Sequence, residues 1–227
     1  MANHLDLEEQ EQLEEIKHFW KQYGNAITWV LIAVLGAYAA WNGYQYWQRS
    51  QASQAAAMFD EVDKLAREGD ADKLQRGFDE MKSRFASTAY APQAGLLVAK
   101  TLYEAGKVDG AKAALTWVAE KSSDVGYASV GRLRLAGVLM DAKAYDEALK
   151  VLSTGMAEEF SALQADRRGD IFLAQDKKPE ASEQYLKAFK LFDERADYRR
   201  LVLVKLNSLG VDPLAETKPT DPAPAAK

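Results

Sequence analysis

The sequence has 227 residues, 48% of them hydrophobic and 28% charged, with a net charge of -5; that is enough for one ordinary domain and an attached segment but not for two large domains. Cysteine is absent, which excludes disulfides, thiolate metal sites and thiol catalysis. Asp6, Glu8, Glu9, Glu11, Glu14 and Glu15 carry the acidity with no Lys or Arg among them, and the near-neutral remainder has no basic stripe, which excludes an electrostatic footprint for nucleic acid.

Residues 1–21 therefore read as an acidic leader. A regulatory reading has it docking a basic surface on a cytosolic partner, and the plainer one makes it a solubilising tail. Residues 22–48 follow without a single charge between Lys21 and Arg49. The run AITWVLIAVLGAYAAWNGYQYW, Ala26 to Trp47, would make a helix of roughly 33 Å, enough to cross a hydrocarbon core of about 30 Å. Trp29 near one end and Trp41, Tyr44, Tyr46 and Trp47 toward the other stand where headgroups would lie, as aromatic belts do.

Two other readings of this stretch are open: a buried core helix of a soluble protein, and a cleaved signal peptide using Ala37-Tyr38-Ala39. The charged flanks argue against the first, and the long acidic leader against the second. As an uncleaved anchor it has Lys17 and Lys21 before the span and Arg49 after it. That bias predicts a cytoplasmic N-terminus and a C-terminal domain on the far side of a bacterial inner membrane. Ala33, Gly36, Ala37 and Ala40 form small-x-x-x-small pairs, either an approach face for a second helix or the ordinary composition of a span.

Residues 49–210 are Ala- and Leu-rich, punctuated by glycine and almost without proline, which predicts helices and an all-α fold. Gln48 to Arg67 reads as a helix running directly on from the span. A repeated pattern follows. Leu135-Ala136, Leu139, Tyr145-Asp146-Glu147-Ala148 and Leu152 fit the helix-turn-helix unit of tetratricopeptide repeats. Arg168-Gly169, Phe172, Glu180-Ala181, Tyr185 and Ala188 repeat it 33 residues later, and Val98-Ala99, Leu102, Gly106, Asp109, Ala111 and Leu115 precede it by 37. Ala111, Ala148 and Ala181 anchor the register, with small residues placed where paired helices cross. A weaker copy comprises Leu65, Gly69, Leu74, Phe78 and Met81, with Leu74 in place of the small residue.

Stacked helix pairs bury a continuous core and leave a long concave wall suited to extended peptides or partner helices. The register places Gln93, Leu96, Lys100 and Tyr103 on that wall in one repeat, then Val130, Leu133, Gly137 and Met140, then Leu163, Asp166, Asp170 and Leu173. These positions equally suit ordinary packing residues. A wall of Leu, Met and Tyr with few charges would take apolar, unfolded polypeptide. The tail, residues 211–227, holds Pro213, Pro219, Pro222 and Pro224 and has a composition that cannot bury a core.

His4 and His18 are the only histidines, and no phosphate-binding glycine loop or G-x-S-x-G turn occurs. Carboxylate pairs such as Asp146-Glu147 and Glu158-Glu159 read as solvated faces. No catalytic residue, cofactor or metal is expected, and the chain reads as a binding protein.

Phe19-Trp20 and Tyr23-Gly24 before the span, Trp41 and Tyr46-Trp47 at its end, and Gln51 through Phe59 after it carry a resemblance to the YfgM-type family, the ancillary SecYEG translocon subunits. It extends from the acidic leader to about Leu209. The resemblance implies an inner-membrane protein with its repeats in the periplasm, associated with SecYEG and with a chaperone such as PpiD, passing emerging polypeptides from channel to chaperone. An alternative function of another class is a repeat scaffold for envelope assembly or cell division, bound to one folded partner.

Overall fold

The computed structural model describes residues 7–214, with side chains described from Glu11 onward. Asp6, Glu8 and Glu9 of the acidic leader, and the tail beyond Leu214, thus lie outside the described residues or side chains. Every regular element among the described residues is helical, as expected from the composition. Residues up to Ser53 and residues from Gln54 make separate compact units.

The first helix, α1, runs uninterrupted over Leu7–Glu68. It contains a stretch long and apolar enough to cross a membrane, of which only 6% is buried within the protein, so it is not the core helix of a soluble fold. Trp29, Tyr38, Trp41 and Tyr46 are exposed along it. Its polar interruptions are satisfied within the helix: Thr28 Oγ1 donates to the Gly24 carbonyl at 2.7 Å and Asn42 Nδ2 to the Tyr38 carbonyl at 2.9 Å. That matters in lipid, where no water would satisfy such groups.

The second unit opens with the last turns of α1, where Ala55 and Val62 are buried. The helices that follow are α2 (Ala71–Phe85), α3 (Tyr90–Glu104), α4 (Val108–Lys121), α5 (Val125–Asp141), α6 (Tyr145–Leu152), α7 (Ser161–Ala174), α8 (Lys178–Leu191) and α9 (Asp197–Ser208), with one 3-10 turn at Glu158–Phe160. Asp70 and Asp124 cap α2 and α5, their carboxylates accepting from the Lys73 and Tyr127 amides at 3.0 Å. Pro92 and Pro179 sit in the first turns of α3 and α8, where a missing N–H costs nothing.

The pairs α3/α4, α5/α6 and α7/α8 are the three repeats read from the sequence, and the end of α1 with α2 forms the weaker copy. Within each pair the chain turns in the same way. The amides of Lys107, Ala144 and Lys177 donate to the carbonyls of Leu102, Leu139 and Phe172, at 2.8, 2.9 and 2.9 Å, after a left-handed residue: Gly106 at φ 74°, Lys143 at 58° and Asp176 at 60°. This double-turn exit requires positive φ, and only the first repeat supplies glycine for it.

Ala111, Ala148 and Ala181, the register anchors, are fully buried. Three glycines mark where helices approach most closely. A Cβ on Gly95 would stand 2.5 Å from Val118 Cγ2, one on Gly131 3.0 Å from the Ala119 amide nitrogen, and one on Gly169 2.5 Å from Tyr185 Cε1. The buried apolar residues form two clusters. A large one runs from Ala55 through Ile171 and includes Phe78, Val98, Leu115 and Leu152, and a smaller one gathers Ala165, Ala181, Tyr185, Phe189, Val202 and Leu206 around α7, α8 and α9.

Candidate interaction groove

The first helices of the pairs, α3, α5 and α7, touch one another in sequence order and form one wall. Two adjoining cavities open on it. The first, about 360 Å³, has a floor of Ala99, Leu115, Leu133 and Val138 and a rim that includes Lys100, Tyr103, Arg134 and Arg167. The second, about 320 Å³, lies beside Val130, Phe160, Leu163 and Asp166. Leu133, Arg134 and Arg167 line both, so the two make one groove with an apolar floor and a cationic waist.

Of the wall residues expected from the register, Lys100, Tyr103, Leu133 and Gly137 line the first cavity, and Val130, Leu133, Leu163 and Asp166 the second. Leu96 and Met140 pack against the large core. Gln93 Nε2 bridges repeats by donating to the Tyr127 hydroxyl at 2.5 Å. Leu173 is at the border of exposure. Asp166 and Asp170 are held from inside: Lys205 Nζ lies 2.7 and 2.9 Å from the two Asp166 oxygens and 2.7 Å from Asp170 Oδ1.

The groove is more charged than the pattern of Leu, Met and Tyr foretold, because Arg134 and Arg167 flank the apolar positions. Their signal was in the sequence: two arginines 33 residues apart, the spacing of the last two repeats. A Cβ on Gly137 would lie 4.0 Å from Arg167 Nη1, so that guanidinium stands at ordinary contact distance from α5. Tyr103 donates its hydroxyl to Asp141 Oδ2 at 2.6 Å, tying α3 to α5; this bond raises the Tyr103 phenol above its ordinary range.

Behind the far end of the groove, α9 is latched by a partly buried polar cluster. Asp166 is 2% exposed. It accepts from the Tyr198 hydroxyl at 2.9 Å, while Tyr185 donates to Asp170 Oδ1 at 2.8 Å and Arg167 Nη1 stands 3.7 Å from Asp170 Oδ2. Burial, then the hydrogen bond to Asp166, push the Tyr198 phenol up to about 12. Burial with the nearby Asp170 charge raises Tyr185 further still.

Both shifts favour the neutral phenol in the folded state. An unfolded tyrosine ionises near pH 10, so this stabilisation is fully present below about pH 10. It falls as the pH climbs toward Tyr198's folded value of about 12, where only the native state still holds the proton. An alkaline titration followed by far-UV circular dichroism should show helix loss beginning above about pH 10, with the dependence flattened in Tyr185→Phe/Tyr198→Phe. Identical curves for the two proteins would contradict the assignment.

Residues 17–211 match the family model of a tetratricopeptide repeat-like domain. The chain is 31% identical over 210 residues, 92% of its length and all of the relative's, to a protein of Neisseria gonorrhoeae named ancillary SecYEG translocon subunit. A protein of the same name from Haemophilus influenzae is 28% identical over 203 residues, 89% of this chain and 98% of the relative. A third, from Escherichia coli, is 27% identical over 206 residues, 89% of this chain and 97% of the relative.

Proposed function

Because the chain belongs to the tetratricopeptide repeat-like family of ancillary SecYEG translocon subunits, we propose that it is a membrane-anchored adaptor that binds polypeptide in its inner groove beside the SecYEG channel. The observation that carries this reading is the groove itself, an apolar floor open along the wall of three successive repeats, in a chain whose first helix can cross a membrane. A tethered surface of that kind holds extended segments at high local concentration without needing high affinity.

In this reading residues 1–21 face the cytoplasm, residues 22–48 anchor the protein in the bacterial inner membrane, and residues 49–210 lie in the periplasm, with residues 211–227 as a tail. Lys17 and Lys21 against Arg49 support the orientation. The adaptor hands emerging chains to a periplasmic chaperone of the PpiD kind. The wall residues Gln93, Leu96, Lys100, Tyr103, Val130, Leu133, Met140, Leu163, Asp166, Asp170 and Leu173 contribute contact surface or hold it in shape.

A photocrosslinker at Tyr103, on the exposed rim, should capture translocon, chaperone or secretory chains in living cells. Protease added to spheroplasts should trim the repeat domain and leave an N-terminal tag on an intact anchor. Absence of all three crosslinks, or protection of the domain until the membrane is broken, would remove the reading. A single stoichiometric folded partner in their place would favour a scaffold.

A further inference from the structure

Resting on that reading, we propose that the groove selects extended segments carrying an internal Asp or Glu side chain flanked by apolar residues, with Arg134, supported by Arg167, holding the carboxylate. The two arginines occupy equivalent positions on the neighbouring helices α5 and α7, 33 residues apart, and both line both cavities. Each guanidinium offers five N–H donors in a fixed fork, and neither is well used within the protein. Arg134 Nη1 reaches the Leu96 carbonyl only at 3.5 Å, and Arg167 Nη1 is 3.7 Å from Asp170.

The acids near the waist are engaged elsewhere. Asp141 accepts from Tyr103 at 2.6 Å, and Lys205 Nζ contacts both Asp166 and Asp170 at 2.7 Å, offsetting one of their two charges while Arg167 faces the other at 3.7 Å. The residues lining the two cavities carry three cations, Lys100, Arg134 and Arg167, against two carboxylates, Asp141 and Asp166. Lys100 faces Glu104 at 3.6 Å. Among the described residues Arg134 has only its long contact to the Leu96 carbonyl, so it is the cation left for a ligand. The floor on either side of the waist is apolar and of a size for aliphatic side chains. This is complementary to a carboxylate between leucines rather than to a purely apolar strand. Because the cations stand in the middle of the groove and not at a closed end, the bound chain can continue both ways. That geometry favours a side-chain carboxylate over a chain terminus.

The test uses the full chain in nanodiscs of zwitterionic lipid, with empty discs as the blank. The probe is a short peptide blocked at both ends, labelled with a neutral fluorophore and carrying one Glu between leucines. A second probe has Gln in that place, and a third has Gln there with a free terminal carboxylate. Fluorescence anisotropy should show the Glu peptide bound about tenfold more tightly than the Gln peptide at low salt. The gap should close at high salt and in Arg134→Gln/Arg167→Gln, and Arg134→Lys/Arg167→Lys should restore part of it. Equal affinity for the Glu and Gln peptides in the unmodified protein overturns the proposal and leaves the groove an apolar binder. Tighter binding of the free-terminus peptide than of the Glu peptide also overturns it, in favour of chain ends. Failure of every peptide to bind, together with no crosslinks from Tyr103, overturns the adaptor reading as well. The comparison among peptides on the unmodified protein needs no variant to fold.

Discussion

Lys205→Met is expected to release α9 from the repeat array and cost about 3 kcal/mol, the lower end of the range for breaking a buried ion pair from one side. Lys205 is the cation nearest to Asp166, which is 2% exposed, and its Nζ also contacts Asp170 at 2.7 Å. Methionine would match its length and apolar stem, so the loss isolates the charge. Two carboxylates would then face one another with only the tyrosine hydroxyls and the more distant Arg167 to offset them. Hydrogen exchange should show α9 and the adjoining turns of α8 losing protection while α2 to α4 keep theirs. Adding Asp166→Asn should recover a large part of the loss, because an amide oxygen still accepts from Tyr198 and the one remaining carboxylate, Asp170, still has Arg167 at 3.7 Å. An unchanged melting curve for Lys205→Met would show that the cluster contributes nothing to the latch.

Phe78→Ala should be as damaging at the other end of the array, at about 3–5 kcal/mol. Phe78 is fully buried, and its ring meets Trp117 edge-on with centroids 5.5 Å apart. Its Cζ lies 2.9 Å from where a Cβ on Gly95 would stand, so one ring fills the junction of α2, α3 and α4. Truncation opens a cavity that three helices would have to collapse together to refill, and Gly95 offers no side chain to help. Denaturant unfolding measures the loss, and hydrogen exchange should place it in α2 to α4, leaving the α9 latch protected. Such local confinement is what a stack of nearest-neighbour units predicts; a uniform loss of protection along the domain would mean that the array unfolds as one body.

How far the sequence disclosed this architecture depended on which contacts obey the repeat period. Alanines 111, 148 and 181 were found from spacing and are all fully buried, because the small-residue demand at a helix crossing recurs in every unit. Leu74, the misfit of the weak copy, is fully buried in the core beside Phe78 and Met81. The groove was only half visible. A reading keyed to apolar residues finds Leu133 and Leu163 and passes over Arg134 and Arg167, which stand beside those positions. The engagement of Asp166 and Asp170 was hidden for a different reason. Their partner Lys205 sits in α9, 39 and 35 residues away, beyond the last repeat copy, so no periodicity points to it. The turns were masked too, since Lys143 and Asp176 take the left-handed conformation that Gly106 takes in the first repeat.

In the array from Gln54 onward, substantial helix contacts among the described residues join each helix to the next or to the next but one in the chain, and hydrogen bonds described there span up to 39 residues. Such topology needs little loop closure before contacts begin to form, so folding should be fast and local. A chain made from its N-terminus can therefore lay down α2 on α3, then α4 on α3, while the rest is still being synthesised. The last event is the arrival of α9, whose lysine offsets one of the two negative charges that Asp166 and Asp170 place on α7. Completion of the domain is thus recorded by the quenching of a charge, and a chain stopped short of Lys205 would retain its repeats but carry an exposed anionic scar at its unfinished end.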